Sequence, residues 1–595
     1  MWTTDDSSRL YGLDDWGGGY FSINEEGNLE VCPQKNQTQS ADLMEVIGEV
    51  AREGISFPVL FRFPQTIEDR LTGIDQAFCS SIEELGYQGC YRLVFPIKVN
   101  PHRAVIKQVV EGGKAGLEVG TKAEMLAALS MDPDPDALIV CNGYKDDQYL
   151  KLAIGSRKSV VVVDVFEELS SVLRCSEEMG IRPRLGLRVR LFSKGMRSKF
   201  GLSTTEILEA IEILSKNEML DRLEMLHFHL GSQITDIRNV KDAVNEAARI
   251  YAKVRKTVDI RYFDVGGGLS VDYDGSRTTS PTSTNYSLKE YTNDVVYTLQ
   301  RVCEDEGVSC PDIISESGRA IAAYHSVLVF KIIGEKNSYF GDVLPGGDGS
   351  IQVEDLRFAL DNINAENRVE YYHDALHYQD ELFDSFSLGN IGLEEKAEGE
   401  NLFWNVCQKA SRLAEEVGDE SKEFQDLKKL LCKKYIGDFS LFRSAPDIWG
   451  VHQIFPTIPL HRLGERPTEK GTIADITCDS DGEIASFTGV NASYLPLHTL
   501  KKDEDYYLGT FLLGAYQDAL GSFHNLLGRV NEVHVLVDEK GWRISKVVEG
   551  HRCEDVLRVF DYHPASWHGL QNKAEMEDLR NALKGYTYFD DVHQK

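Results

Sequence analysis

Lys98 is the first residue whose type and position could do chemistry. It ends the β-prone run Tyr91-Arg-Leu-Val-Phe-Pro-Ile97 and has apolar neighbours, Ile97 and Val99. Poor solvation of an ammonium group would favour the neutral amine, which is the form that attacks a carbonyl carbon to make a Schiff base. The alternative is a lysine whose head group extends beyond the strand end into solvent, and this run alone favours that alternative.

Three later segments carry polar side chains directly after apolar runs. They are Leu226-His-Phe-His-Leu-Gly-Ser-Gln233, Phe263-Asp-Val-Gly-Gly-Gly-Leu269 and Ser315-Glu-Ser-Gly-Arg319. His227 and His229 share a strand face and could be metal ligands, but no third ligand is evident, so a core or stacking role fits them better. Taken alone, the three glycines fit a turn. Glu316 and Arg319 fit a structural ion pair as well as they fit a role in a functional site.

Two short segments near the end of the chain also offer reactive groups. Thr477-Cys-Asp-Ser-Asp-Gly482 holds a thiol between carboxylates, and Gly514-Ala-Tyr516 holds a phenol that could reach a phosphate. The simpler interpretation of Cys478 is a small buried apolar residue. Asp479, Asp481 and Gly482 are typical turn residues.

The elements that must position these groups alternate between strands and helices. The strand candidates are Arg92–Lys98, Gly116–Val119, Ala137–Asn142, Ser159–Val165, Arg184–Leu191, Arg222–Leu230, Ile260–Val265 and Asp312–Glu316. Helical patterns separate them, for example at Thr121–Met131, Phe166–Gly180, Thr204–Leu220 and Asn239–Lys256. This alternation predicts an α/β fold, a (β/α)₈ TIM-like barrel, whose function lies at the carboxyl ends of its strands. An open doubly wound sheet would need a glycine-rich nucleotide turn, and neither GxGxxG nor a P-loop is present.

The rest of the chain predicts further domains. An acidic, helix-patterned insertion interrupts a C-terminal β-domain, and a helical tail follows it. The predicted division is an N-terminal hairpin region that joins the β-domain (1–60), the barrel (61–325), the start of the β-domain (326–350), the helical insertion (351–435), the β-domain (436–550) and the tail (551–595).

Composition excludes several classes of protein. A net charge of −31 over 595 residues argues against nucleic-acid binding and would suit a cationic small substrate, although solubility explains most of it. The 11 cysteines show no zinc-type spacing, so we interpret them as reduced thiols of a cytoplasmic protein. No signal peptide and no apolar run of membrane-spanning length, about 20 residues, is present.

The polar segments combine into one site if they meet at the carboxyl end of the barrel. Three glycines let the backbone approach a ligand and can aim N–H groups at an anion. The predicted phosphate cradle consists of Gly266, Gly267, Gly268, Ser232 and Arg319. A Schiff-base lysine, Lys98, a phosphate site and a carboxylate for a ring nitrogen, Glu316, together describe a site for pyridoxal 5′-phosphate (PLP).

With these motifs the chain resembles the fold-type III PLP-dependent decarboxylases, the alanine-racemase-like barrel group, and within it the arginine decarboxylases. The resemblance spans nearly the whole chain. It is carried by Trp16-Gly-Gly-Gly-Tyr-Phe-Ser-Ile-Asn24, Phe95-Pro-Ile-Lys-Val-Asn100, Gly116-Leu-Glu-Val-Gly120, His229-Leu-Gly-Ser-Gln233, Phe263-Asp-Val-Gly-Gly-Gly268, Glu316-Ser-Gly-Arg319, Phe439-Ser-Leu-Phe-Arg-Ser444, Cys478-Asp-Ser-Asp-Gly482 and Gly514-Ala-Tyr516.

The resemblance implies a role for each matching residue. Lys98 resembles the lysine that holds PLP covalently, His229 the imidazole stacked on its ring, and Glu316 the partner of the pyridine nitrogen. Cys478 matches the residue, supplied by the partner subunit, that protonates the substrate carbon after CO₂ leaves. Asp479, and with it Asp481, matches substrate-binding carboxylates. The phosphate-binding positions match Ser232, Gly266, Gly267, Gly268, Gly318, Arg319 and Tyr516.

The same resemblance implies decarboxylation of L-arginine to agmatine and CO₂, a step of polyamine and spermidine biosynthesis. It implies a homodimer with shared sites, leaves a homotetramer open, and is the only basis for expecting Mg²⁺. Two alternatives remain: a decarboxylase of ornithine, lysine or diaminopimelate, and an inactive regulatory homologue. Pro101 and His102 after the lysine motif, and Asp438 in place of Asn, depart from the family pattern and bear on fine specificity.

Overall fold

The N-terminal part of the chain forms a small sheet of its own. A computed structural model describes residues 2–113, 115–131, 133–134, 136–192, 199–336, 349–489, 494–563 and 573–589. Its first elements are α1 (Thr4–Tyr11), α2 (Leu13–Trp16), β1 (Phe21–Ile23), β2 (Leu29–Val31), β3 (Ala41–Asp42), α3 (Leu43–Arg52) and β4 (Val59–Arg62). β1 and β2 form the predicted hairpin, but β2 is paired on both sides, with β1 and β3. The hairpin is not a strand pair of the large sheet, but it contacts the β-domain through two backbone hydrogen bonds: the Leu29 N–H donates to the Leu460 carbonyl and the Leu463 N–H to the Gly27 carbonyl, both at 2.9 Å. β4, which begins inside the predicted region 1–60, is the strand that joins the large sheet.

Eight parallel strands close into the predicted barrel. They are β5 (Tyr91–Pro96), β6 (Gly116–Val119), β7 (Ile139–Cys141), β8 (Ser159–Val163), β9 (Arg184–Arg188), β10 (Leu223–His227), β11 (Tyr262–Asp264) and β12 (Asp312–Ser315), and β12 pairs with β5. Each lies within or close to its predicted range. All five residues of β8 are buried, as a continuously apolar parallel strand requires.

Helices separate and cover these strands. They are α4 (Pro64–Leu85), α5 (Arg103–Gly113), α6 (Lys122–Ser130), α7 (Asp147–Gly155), α8 (Glu168–Met179), α9 (Thr204–Lys216), α10 (Ile237–Arg255), α11 (Leu288–Glu306) and the short α12 (Gly318–Ala322). Local sequence sets their ends: Ser203 and Glu206 form a capping box at the start of α9, and Gly180 ends α8 in the left-handed conformation. The predicted (β/α)₈ architecture is confirmed.

A large mixed sheet and a helical bundle follow the barrel. The sheet contains β4, β13 (Ser326–Lys336), β14 (Lys433–Gly437), β15 (Thr457–Pro459), β16 (Glu469–Ala474), β17 (Glu483–Ile484), β18 (Leu495–Leu497), β19 (Tyr506–Phe511), β20 (Asn531–Asp538) and β21 (Gly541–Val548). The inserted helices, which pack around their own apolar core, are α13 (Ile351–Asn362), α14 (Arg368–Ser387), α15 (Leu393–Glu416) and α16 (Lys422–Leu430).

The remaining helices are short or lie in the tail. They are α17 (Leu441–Ser444), α18 (Pro446–Val451), α19 (Gln517–Leu520), α20 (Cys553–Val559) and α21 (Lys573–Lys584). The parts of the predicted β-domain at 337–348 and of the predicted tail at 564–572 and 590–595 lie outside the described residues. No helix in the described ranges is both long and apolar enough to cross a bilayer.

A buried polar network ties the large sheet to the segment that follows Lys98. Arg62, which is 1% exposed, binds Asp518 at 3.0 Å and Glu532 at 2.9 Å. Asn100 donates from Nδ2 to Asp518 Oδ2 at 2.7 Å and to the carbonyl of Gly514 at 3.0 Å. Because a buried charge is stable only when it is paired, this network fixes the lysine-bearing segment against the sheet.

Candidate active site

The polar site lies directly above the apolar interior of the barrel, and strand geometry explains why. Side chains alternate between the two faces of a strand. The inward set, Val94, Val140, Val162, Met225, Tyr262 and Ile314 among it, forms a separate buried cluster. Two residues further along seven of the eight strands, β6 to β12, the same face becomes polar. The buried residues found there are Glu118, Asn142, Asp164, Arg188, His227, Asp264 and Glu316.

Lys98 lies one turn beyond its strand rather than at the strand end. β5 ends at Pro96, which has no N–H for a further ladder bond, and Ile97–Val99 forms a 3₁₀ turn. The Lys98 side chain is 44% exposed, and its Nζ lies 2.5 Å from Oε2 of the buried Glu118. The amine therefore lies on the carboxyl-terminal rim of the barrel, where a small molecule can reach it.

The electrostatics of Lys98 differ from the sequence-based prediction. Burial acts to lower the pKa of Lys98, but the carboxylates of Glu118 and Glu316 outweigh burial and raise the pKa above its usual value. The apolar neighbours of Lys98 in sequence therefore do not make this amine neutral, and its partial exposure agrees with the alternative of a head group that extends beyond the strand. The sequence predicts no role for Glu118, although a carboxylate inside the otherwise apolar run Gly116–Val119 is a signal that could have identified it.

Glu316 is held from two directions at the base of the site. It is 3% exposed, and its Oε1 accepts a hydrogen bond from Asn142 Nδ2 at 2.9 Å. The same amide donates to Glu118 Oε1 at 3.1 Å, and His227 Nε2 lies 3.5 Å from Glu316 Oε1. Asn142 therefore links the carboxylate that contacts Lys98 to the carboxylate predicted to bind a ring nitrogen, a role that the sequence analysis missed.

His229 presents a neutral imidazole to the site. Its Nδ1 accepts a hydrogen bond from the Gly267 N–H at 3.1 Å, and burial lowers the pKa of His229 to about 3. The glycine segment therefore orients the ring and fixes its tautomer. A neutral, oriented ring suits stacking better than proton transfer at pH 7.

The glycine triplet acts mainly through close approach. The Gly266 N–H donates to Asp264 Oδ1 at 2.8 Å, and the Gly267 N–H is engaged by His229, so two of the three amides already have protein partners. A Cβ on Gly267 would lie 3.0 Å from the carbonyl oxygen of Glu316 and 3.1 Å from His229 Cε1. The Gly266 and Gly267 N–H groups are thus engaged within the protein rather than aimed at an anion, and both positions need glycine for space, since a Cβ on Gly266 would clash with the Phe228 carbonyl oxygen.

Arg319 carries the positive charge of the predicted phosphate site. Its guanidinium donates to Ser232 Oγ at 3.1 Å and to Tyr273 OH at 3.0 Å, and it lies 4.7 Å from the ring centre of Tyr516. Within the described ranges no carboxylate forms an ion pair with it. The Tyr516 N–H donates to the Val99 carbonyl at 2.6 Å, so the backbone that carries this phenol is tied to the lysine turn. Gly318 has another function, since a Cβ there would lie 2.5 Å from Val99 Cγ2.

Cys478, Asp479 and Asp481 form a second, exposed group after β16. Cys478 Sγ accepts a hydrogen bond from Asn525 Nδ2 at 3.3 Å, and Asp479 Oδ2 lies 3.5 Å from His524 Nε2. Asp481 Oδ2 accepts from Trp449 Nε1 at 3.3 Å. The contacts of all three residues are with the C-terminal part of the same chain, and none of those recorded for the described residues joins them to Lys98, His229 or Glu316.

One set of potential metal ligands is present among the described residues. His227, Asp264 and Glu316 bring ligand atoms within 4.8 Å of one another, and all three are buried. Mg²⁺ prefers octahedral oxygen ligands and retains several waters, whereas this set includes an imidazole in a closed interior. Burial and the charge of Glu316 also raise the pKa of Asp264 well above its usual value, which opposes metal binding. The set does not fit Mg²⁺.

Comparison with known proteins places this site in a family. Residues 71–323 match the pyridoxal-binding domain of pyridoxal-dependent decarboxylases, and residues 347–428 match the arginine decarboxylase helical bundle domain. The biosynthetic arginine decarboxylase of Bacteroides thetaiotaomicron is 38% identical, and the match covers 99% of this chain and 100% of that protein. The biosynthetic arginine decarboxylase of Thermosynechococcus vestitus is 41% identical, and the match covers 99% of this chain and 98% of that protein. This chain belongs to the biosynthetic arginine decarboxylase family. The crystal structure of the Campylobacter jejuni member superposes with a TM-score of 0.86 at 32% identity, covering 98% of each chain.

The residues of this arginine decarboxylase family member fit PLP. Arg319 is a partly buried guanidinium whose contacts are hydroxyl groups and an aromatic ring, which leaves its charge available for a phosphate. Gly267 keeps one side of the site free of a side chain, and Lys98 is exposed enough to react. Lys98 would hold the cofactor covalently, His229 its ring, Glu316 its pyridine nitrogen, and Ser232, Gly268, Arg319 and Tyr516 its phosphate.

Gly267→Ala is expected to weaken PLP binding by at least about 10-fold, because the new methyl group must displace the His229 ring or the Glu316 backbone. PLP titration of the apoprotein, followed by absorbance, measures the effect. Gly48→Ala is the matched control, since a Cβ at that helical position meets nothing within 4 Å. Equal PLP affinity in the two variants would show that the close approach at Gly267 is not needed.

Proposed function

We propose that this protein decarboxylates L-arginine to agmatine and CO₂ with PLP as cofactor, a step that supplies polyamine biosynthesis. The observation that carries the proposal is full-length similarity to biosynthetic arginine decarboxylases, in both the barrel and the helical insertion. When bound, PLP supplies an electron sink for the carbanion left after CO₂ departs.

Two carboxylates on the rim, Glu118 and Glu316, provide the charges that this chemistry needs beside the amine and the pyridine nitrogen. Glu118 keeps the Lys98 amine within the site when it is not bound to the cofactor, because the two form a 2.5 Å ion pair. Glu316 offers a carboxylate, fixed by Asn142, that would keep a pyridine nitrogen protonated. A neighbouring carboxylate favours carbanion chemistry, because a protonated pyridine nitrogen accepts electron density from the carbanion.

The exposed group after β16 supplies the other two functions in this proposal. The Cys478 thiol delivers a proton to the substrate carbon that has lost CO₂. Asp479, with Asp481 beside it, binds the substrate guanidinium. A carboxylate accepts two parallel hydrogen bonds from a guanidinium, which an ammonium cannot reproduce, and this geometry favours arginine over lysine or ornithine.

We further propose that the active unit is a homodimer whose sites are shared between subunits. Cys478 is exposed, and its contacts lie in the C-terminal part of its own chain rather than on its own rim. A partner rim that receives Cys478 and Asp479 would complete each site. A homotetramer of such dimers and a cytoplasmic location remain predictions.

An amino-acid panel tests the substrate. Purified, PLP-loaded protein is incubated with arginine, ornithine, lysine and diaminopimelate, and CO₂ and the amine product are quantified. We expect arginine to be preferred by at least about 100-fold in kcat/KM, and Asp479→Asn to lose most of that preference. Comparable turnover of ornithine would reject the arginine assignment. No turnover of any substrate by a protein that has bound PLP would favour the inactive regulatory homologue.

A further inference from the structure

The amide of Asn525 contacts the sulfur atom of Cys478 with both of its polar atoms. Asn525 Nδ2 donates to Cys478 Sγ at 3.3 Å, and Oδ1 lies 3.6 Å from the same sulfur, within the range for an S–H donor. A thiol needs an acceptor for its proton, whereas a thiolate needs a donor for its charge. The Asn525 amide offers one of each, so it can remain in contact with the sulfur before and after the proton leaves.

The backbone at this point is held in an uncommon conformation. Asn525 has φ +53° and Leu526 has φ +57°, both in the left-handed region, which Asn, Asp and Gly adopt more readily than other residues. The segment is anchored on both sides: before Asn525 the Phe523 ring stacks on His551 at 5.7 Å, and after it the Gly528 N–H donates to Thr587 Oγ1 at 3.0 Å. The amide is therefore presented to Cys478 by a fixed support.

We propose that Asn525 is a positioning residue for Cys478, which holds the thiol in place and supports both of its protonation states during proton delivery. This role rests on the proposed function of Cys478. In the step, the S–H bond breaks, a C–H bond forms at the carbon that lost CO₂, and the electron pair of the S–H bond stays on sulfur. A proton from solvent then restores the thiol.

The backbone conformation selects the variants that test this role. Asn525→Asp keeps the shape and the acceptor but replaces the N–H donor by a negative charge, and Asn525→Gly removes the side chain without opposing a positive φ. Alkylation by iodoacetamide at pH 8 needs neither PLP nor substrate, because a thiolate displaces iodide directly. Peptide mass spectrometry follows Cys478, and the exposed Cys79 and Cys90 are internal controls.

Alkylation of Cys478 is expected to be about 10-fold slower in Asn525→Asp, because a carboxylate repels the thiolate. In Asn525→Gly we expect a rate about 3-fold slower, because one hydrogen bond is lost. Cys79 and Cys90 should react at unchanged rates. Equal rates for Cys478 in all three proteins, or a Cys478 that does not react in the parent enzyme, would overturn the proposal even if arginine is turned over normally.

Turnover provides the second readout. With arginine as substrate, both variants should show a lower kcat and a larger solvent deuterium isotope effect on kcat, with KM within about 2-fold of the parent, because proton delivery slows while binding is retained. A higher KM with an unchanged isotope effect would assign Asn525 to loop structure alone. If the parent does not act on arginine, the proposed function fails while the alkylation result still decides the contact between Asn525 and Cys478.

Discussion

Lys98→Ala is expected to reduce arginine decarboxylation by at least about 1,000-fold, since an enzyme that loses its covalent nucleophile loses most of its rate enhancement. Lys98 is the amine on the barrel rim that the structure places against Glu118 and within the field of Glu316. The purified variant should also lack the visible absorption of lysine-bound PLP. Single-turnover CO₂ release and an absorption spectrum measure the two effects.

Lys98→Arg separates loss of the nucleophile from loss of the positive charge. Its guanidinium keeps a cation beside Glu118 but is not deprotonated at any working pH, so it cannot attack a carbonyl group. We expect both variants to be inactive, while Lys98→Arg unfolds at a temperature closer to that of the parent, because Glu118 keeps a partner. Activity of Lys98→Arg within about 10-fold of the parent would exclude Lys98 as the residue that binds PLP covalently.

Mixing inactive Lys98→Ala and Cys478→Ala proteins is expected to restore about a quarter of the parental activity. If subunits exchange freely, about half of the dimers are hybrids, and each hybrid has one intact and one doubly deficient site. The recovery follows because Lys98 lies on the barrel rim, whereas the exposed Cys478 makes its contacts in the C-terminal part of its own chain. Steady-state CO₂ release after mixing gives the fraction.

Subunit exchange must be shown independently in that experiment. Native mass spectrometry of the mixture, with one variant isotopically labelled, counts the hybrid dimers. The control mixture of Lys98→Ala with Lys98→Arg should stay inactive, because no hybrid contains a lysine at position 98. Proven hybrids without recovered activity would mean that Lys98 and Cys478 act within one chain or that Cys478 is dispensable.

The sequence was sufficient to predict the barrel and the strand ends that build the site. Eight apolar runs of strand length alternate with helical patterns, and in β8 the run Ser159–Val163 is buried throughout, so the predicted element is the observed one. Because function in such a barrel lies at the carboxyl ends of its strands, the sequence predicts that His229, Gly267 and Glu316, which follow apolar runs, lie on one rim. The assignment of arginine as the substrate rests on the resemblance of the whole chain, because the spacing of these residues alone cannot distinguish one diamino acid from another.

Only the tertiary structure decided how these groups affect one another. The apolar neighbours of Lys98 in sequence argue for a neutral amine, but its nearest charged group in space is Glu118, on the adjacent strand, and this carboxylate favours the ammonium form. The sequence predicts that the Gly267 N–H faces an anion, but that N–H donates to His229 Nδ1 instead. Chain order does not encode which side chains meet across β6, β7 and β12, or that Asn525 contacts Cys478 from 47 residues away. Local pattern fixes the elements because their periodicity is local, whereas pKa values and hydrogen-bond partners depend on distances that exist only after the barrel has closed.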